Sequence, residues 1–226
     1  MNSAIEQAQH IICISEATRQ DLLEFVPIRS DQRVSVIHNG VSNVFRLLNV
    51  RTAGGNRPYI LFIGQRGGYK NFDLALRALS LLPDLELHCV GGGPLRGEEL
   101  AGLDIATRGR VRHLGFVSDE QLNSLYNSAF CLLYPSSYEG FGIPVLEAMR
   151  AGCPVVCIDS KAVVEVGGSA LCVSAHASDP AALAQAVLRL DDDEERQRLR
   201  ALGLARSKQF SWDQCFAQTL AVYRSL

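Results

Sequence analysis

The chain has 226 residues, of which 47% are hydrophobic and 20% charged. That suits one packed domain plus a substantial part of a second, and it excludes disordered, collagen-like and low-complexity classes. Its 22 Lys and Arg against 24 Asp and Glu leave a net charge of −2, so no basic stripe for nucleic acid is expected. No apolar run approaches the roughly 18 residues of a membrane helix, and residues 1–15 carry Glu6 without a basic start, so a signal peptide is not expected.

Taken in chain order, short apolar runs alternate with amphipathic stretches almost from end to end. Strands are predicted at 11–14, 34–37, 59–63, 85–90, 111–114, 130–134, 154–158 and 171–173. Helices are predicted at 16–25, 72–82, 119–128, 144–151, 180–190, 193–209 and 212–224. Ser118 with Gln121 and Ser211 with Gln214 each fit a capping box, and Asp179 precedes a proline at the first helical position. Strands apolar on both faces and separated by helices imply a parallel sheet covered on two sides, so the fold class is α/β, Rossmann-like and doubly wound.

Residues 49–58 contain Gly-Gly, Asn and Pro with little hydrophobic periodicity and read as a linker. The βα units that follow, 59–209, suffice for a complete domain, with 210–226 as a closing helix. Residues 1–48 offer two strands, too few for a sheet that stands alone, and are expected to be the tail of a preceding domain. The seven cysteines are an odd number with no CxxC spacing, and six lie in or beside apolar runs. Free thiols and a cytoplasmic location are expected, without disulfides or a zinc site.

Four segments invite a chemical reading. In 136–149, Glu139 and Glu147 flank Gly140 and Gly142 where a strand gives way to a helix, the place where open α/β sheets bind ligands. Two carboxylates there suit sugar hydroxyls. Spacing alone leaves open a plainer reading, with Glu139 a loop residue and Glu147 a solvated first-turn charge. In GQRGGYKN (64–71), Arg66 and Lys70 flank a glycine pair after a strand and could neutralise a pyrophosphate, or simply be solvated. The run 90–97 fails the dinucleotide spacing, because the third glycine would fall at Arg96, and reads as a tight turn; a nicotinamide-dependent enzyme is disfavoured. The acidic run 191–195 lacks a glycine-hinged calcium loop and reads as a solvated helix start, and the five histidines show no ligand spacing.

PSSYEGFGIPVLEAMRAGCPVV (135–156) resembles the E-x7-E region of retaining glycosyltransferases of family 4, which have the GT-B architecture. Segments 11–23, 36–41, 60–71, 115–129 and 210–226 resemble the same family in the same order. The resemblance implies a transferase that uses a nucleotide-diphosphate sugar and no metal or other cofactor. It implies that Arg66 and Lys70 bind the diphosphate, that Glu147 takes the ribose diol, and that Glu139 sits by the donor sugar. The backbone of Gly64, Gly140, Phe141, Gly142 and Ile143 would lie against sugar and phosphate, with Phe116 and Val117 beside the base. A polysaccharide mannosyltransferase using GDP-mannose is favoured, with UDP-glucose or a UDP-N-acetylhexosamine as the rival donor. The acceptor would be a saccharide or lipid-linked saccharide, and peripheral docking at the inner face of a membrane would fall to the missing part of the acceptor domain. The chain alone is expected to transfer little; a non-catalytic sugar-nucleotide-binding module is the alternative. The sequence departs from the family pattern in three places. Arginine comes one residue late, at 66 after Gln65; Gly92 stands where an acidic residue is usual; and Val164 replaces a proline.

Overall fold

The computed structural model describes residues 2–49, 57–174 and 176–226, which build two parallel sheets of unequal size. Helix α1 (Asn2–Gln7) leads into β1 (His10–Cys13), and α2 (Glu16–Phe25) carries the chain across to β2 (Arg33–Val36). These two strands pair in parallel from His10↔Arg33 to Cys13↔Val36. Most of the expected linker, residues 50–56, lies outside the described residues.

The second sheet contains β3 (Tyr59–Ile63), β4 (Glu86–Val90), β5 (Val111–His113), β6 (Cys131–Tyr134), β7 (Val155–Cys157) and β8 (Leu171–Val173). All pair in parallel, in the order β5-β4-β3-β6-β7-β8. The intervening helices are α3 (Phe72–Ser80), α4 (Ile105–Arg108), α5 (Asp119–Ser128), α6 (Ile143–Arg150) and α7 (Lys161–Gly167). After β8 come α8 (Pro180–Leu188), α9 (Asp193–Ser207) and α10 (Trp212–Arg224).

The period of two along each strand divides the core between the faces. Ile60, Phe62, Leu87, Cys89, Leu133 and Val156 pack with α3 and α8. Leu61, Val90, Leu132, Tyr134, Val155 and Cys157 pack with α6 and α7 on the other side. The fold is therefore the expected doubly wound α/β arrangement. The strand order reverses at β3. From there the chain steps outward to β4 and β5, then returns to lay β6 on the opposite side of β3. The crevice beyond the carboxyl ends of β3 and β6 is the topological switch point, where such sheets bind ligands.

Helix boundaries follow the capping chemistry. Ser118 and Gln121 form a reciprocal box, Asp179 accepts from Ala181 N–H before Pro180, and Asp192 of the acidic run caps α9. Ser211 caps α10, but Gln214 does not return the bond. Helices α1, α4 and α7 are additions to the predicted set. All three are too short, at 6, 4 and 7 residues, to show a helical period. All seven cysteines are free, six of them buried; burial pushes the Cys153 and Cys157 thiols up to about 12, which suits core residues and not nucleophiles. Among the described residues no helix is long and apolar enough to cross a membrane.

The smaller sheet is held to the larger by polar contacts made at the start of α2. Glu165 of α7 accepts the backbone N–H groups of Glu16 (2.7 Å) and Ala17 (3.0 Å) and meets His38 Nε2 at 2.8 Å. Ser15 Oγ and Thr18 Oγ1 both donate to the carbonyl of Gly140, at 2.6 and 3.0 Å. A Cβ on Gly40 would overlap the backbone of Ser211 and Trp212, which seats the start of α10 against the smaller unit.

Candidate functional site

At the switch point the loop after β3 and the loop after β6 are stitched together. Asn71, the one described non-glycine residue with positive φ (51°), donates from Nδ2 to Pro135 O at 2.8 Å, and Ser137 N–H donates to Tyr69 O at 2.8 Å. The stitching brings two of the sequence-predicted residues into contact. Lys70 Nζ lies 2.6 Å from Glu139 Oε1 and donates to the Tyr134 hydroxyl at 3.1 Å, with the Tyr134 ring centroid 4.8 Å away. Both charged side chains are only 12% exposed. Gly64 (φ 114°) turns the chain beside the lysine stem. Burial first, and then the Glu139 charge, holds the Tyr134 phenol protonated, far above its usual range. A partly desolvated ion pair is retained only with added hydrogen bonds, and Tyr134 provides one.

Glu147 sits one turn into α6. Its Oε2 accepts from the Tyr126 hydroxyl at 2.9 Å, and that hydroxyl also lies 3.2 Å from Pro144 O. Tyr126 is fully buried. Burial raises the Glu147 carboxyl to about 7, with the Tyr126 bond opposing and the Asp119 charge adding to the rise. The plainer reading of Glu147 as a solvated first-turn charge is therefore corrected: it is a half-buried carboxyl with a dedicated donor. Helix α6 begins at a left-handed Gly142 (φ 102°) with no side chain capping it.

Among the remaining expected residues, Gly140 gives its carbonyl to Ser15 and Thr18, and the Phe141 ring is buried against His38 and Phe210. Ile143 and Val117 pack on the α6–α7 side of the core, and Phe116 is 97% exposed. Between α2 and the ends of β6 and β7 lies a cleft of about 310 Å³, lined by Asp21, Tyr138, Glu139, Asp159, Ser160 and Lys161. Tyr138 donates to Asp21 across it at 2.8 Å.

Arg66 differs from the expectation that it faces a diphosphate beside Lys70. Its Nε donates to Glu99 Oε1 (2.9 Å), Nη1 to Gly91 O (3.0 Å) and Gly93 O (2.8 Å), and Nη2 to Pro94 O (2.8 Å) and Glu99 Oε2 (3.4 Å). A guanidinium has five N–H donors, and all are engaged. Two of the sequence departures thereby become one. A Cβ at Gly92 would lie 2.7 Å from Arg66 Nη1, so an arginine at 66 and a side chain at 92 exclude each other in this arrangement. Sequence reasoning passed over Glu99, Tyr126 and Tyr134, whose partners lie from 21 to 64 residues away along the chain.

With this geometry in place, comparison with known proteins gives a family. The model for "Glycosyl transferases group 1" matches residues 47–203. The chain belongs to the group 1 glycosyl transferases. A curated relative, O-antigen chain mannosyltransferase B of Escherichia coli, is 32% identical over 242 residues, covering 100% of this chain and 63% of that one. Among solved structures, sucrose-phosphate synthase from Thermosynechococcus elongatus superposes with a TM-score of 0.83 at 24% identity, covering 99% of this chain and 60% of that one. Anabaena Alr3699/HepE in complex with UDP-glucose gives 0.85 at 20% identity, covering 100% and 66%. These structures share the α/β fold of GT-B glycosyltransferases. The chain spans about three fifths of the length of these relatives.

Proposed function

We propose that this group 1 glycosyl transferase chain is the donor-binding part of a retaining hexosyltransferase. It takes mannose from GDP-mannose and passes it to a saccharide or lipid-linked saccharide acceptor at the cytoplasmic side of a membrane. What supports the reading is the Lys70–Glu139 pair at the β3–β6 switch point, followed on α6 by Glu147, a half-buried carboxyl with its own donor in Tyr126. Mannose is favoured by the named activity of the O-antigen relative; a UDP-sugar is the rival, by the ligand named for HepE.

In this reading the donor diphosphate replaces Glu139 as the counter-ion of Lys70. As the C1–O bond to the diphosphate breaks, charge grows on the departing phosphate oxygen, and a lysine already fixed there stabilises it without reorganisation. Glu139, released from Lys70, accepts from the sugar hydroxyls; Glu147 accepts from the ribose diol; the base lies beside Phe116 and Val117. The acceptor hydroxyl bonds to C1 on the face that the diphosphate leaves, and its proton passes to the departing phosphate oxygen, so configuration is kept.

The test is a thermal-shift titration with GDP, UDP, ADP and NAD. A ligand at 100 times its dissociation constant adds about 2.7 kcal/mol of stability. GDP is expected to stabilise the protein most. Stabilisation by NAD alone, or by no nucleotide, contradicts the reading.

A further inference from the structure

The turn after β4 is wound around a single buried guanidinium. Gly91, Gly92 and Gly93 all have positive φ, at 83°, 73° and 72°. A run of this kind turns carbonyls away from any sheet partner, so they take donors from elsewhere. Arg66 supplies them to Gly91, Gly93 and Pro94, while the Phe72 ring lies 5.7 Å from its guanidinium carbon. Glu99, on the short helical turn Gly97–Leu100, closes the arrangement. It meets Arg66 at two points and also accepts the Arg96 backbone N–H at 2.7 Å. Burial pushes the Glu99 carboxyl up, but the bonds from Arg66 and Arg96 outweigh it and leave the group below its usual range. The Arg66 and Glu99 side chains are 3% and 9% exposed. Gly92 is the residue that lets the guanidinium in.

An arginine serving a soluble anion keeps donors free for it; this one has none left. Lys70 is the contrast, held by one carboxylate and one phenol that a diphosphate can displace. We infer that Arg66 and Glu99 are positioning residues that shape the glycine turn beside the β3 loop, and that of the two cations of that loop Lys70 is the one that supplies positive charge to the diphosphate. The inference rests on the nucleoside-diphosphate reading of the site.

Calorimetric titration of GDP at about 50 mM and about 300 mM salt separates the two roles, since screening weakens a charge contact and leaves a shape effect alone. If the pair positions the turn, Arg66→Lys weakens GDP as much as Arg66→Ala. The expected loss is about tenfold, the low end of what losing an outer-shell partner costs at metal sites, and the wild-type salt dependence persists in both. Glu99→Gln follows them, and Lys70→Ala flattens the salt dependence. Should Arg66→Ala fail to fold, Arg66→Lys and Glu99→Gln carry the comparison. Wild-type affinity in Arg66→Lys, a flattened salt dependence in Arg66→Ala, or tighter GDP binding in Glu99→Gln would overturn the inference. If the wild type binds neither GDP nor UDP, it is the reading of the site that fails. The pair is then judged by melting without nucleotide. Arg66→Lys and Glu99→Gln should each melt lower, and Arg66→Ala with Glu99→Ala should lose less than the sum of the two; wild-type melting in Arg66→Lys refutes it.

Discussion

Replacing Glu147 by Gln removes a charge while keeping the shape and an oxygen that can accept the Tyr126 hydroxyl, now 2.9 Å from the carboxylate. Burial lifts this carboxyl from 4.5 to about 7. The folded protein therefore binds the proton more tightly than the unfolded chain, and between those two values the wild type loses stability as pH rises. A shift of that size corresponds to about 3 kcal/mol once the group is fully ionised. Glu147→Gln carries no such penalty. Its advantage over the wild type should be near zero at about pH 4 and reach about 3 kcal/mol at about pH 8.5. In a chain of this length that is a rise of roughly 6–12 °C in melting temperature. Differential scanning calorimetry of both proteins across that pH range is the assay, with GDP titration alongside. The variant should be more stable and bind GDP worse, because a carboxylate kept at the expense of the fold is one kept for a ligand. A stability difference that does not change with pH, or a variant that melts lower at about pH 8.5, refutes the reasoning.

Three further perturbations have defined outcomes. Lys70→Met strands Glu139 without its partner at a site where both side chains are 12% exposed. It should cost about 2 kcal/mol in urea unfolding, less than the roughly 3–5 of a fully buried pair, and adding Glu139→Gln should restore most of it. Gly92→Ala places a methyl 2.7 Å from Arg66 Nη1 at a φ of 73°. A loss of about 2 kcal/mol is expected, smaller when Arg66 is also Ala, and a neutral effect would show that the turn is not wound as described. Glu165→Ala leaves the Glu16 and Ala17 amides without their acceptor and should speed hydrogen exchange at both. In the wild type burial pushes Glu165 up, but the bonds from Glu16, His38 and Ala17 outweigh it and lower it. Its stabilisation is thus complete above the ordinary value of 4.5 and is lost as pH falls through the folded one. Unchanged exchange at those amides in the variant would count against the clamp.

What the sequence showed and what it hid divide along physical lines. Central strands such as β6 and β7 are buried on both faces and written as apolar runs, and all six strands of the larger sheet were legible, the half-exposed edge strand β5 included, with the loops at their carboxyl ends. Lys70, Glu139 and Glu147 could be singled out because those loops are where an open parallel sheet offers a site. Local chemistry such as the Ser118–Gln121 box was readable for the same reason: its partners are three residues apart. Arg66 was not, since its fate depends on Glu99, 33 residues later, and on backbone carbonyls whose direction is set by three left-handed glycines. The state of Glu147 was hidden too, because Tyr126 and the burial around it belong to the packing of α5 against α6. Phe141 sits inside a motif of ligand-facing character, yet its ring is core, joined to His38 and Phe210 from distant segments.

The central claim is that a nucleoside diphosphate lies across the ends of β3 and β6. A crystal structure of the protein with GDP bound tests it most directly. The account predicts the diphosphate oxygens on Lys70 Nζ in place of the Glu139 contact now at 2.6 Å, and the ribose hydroxyls on Glu147. Arg66 should remain on Glu99 and the glycine turn. GDP bound elsewhere, or in the crevice with the Lys70–Glu139 pair intact and Glu147 untouched, contradicts it.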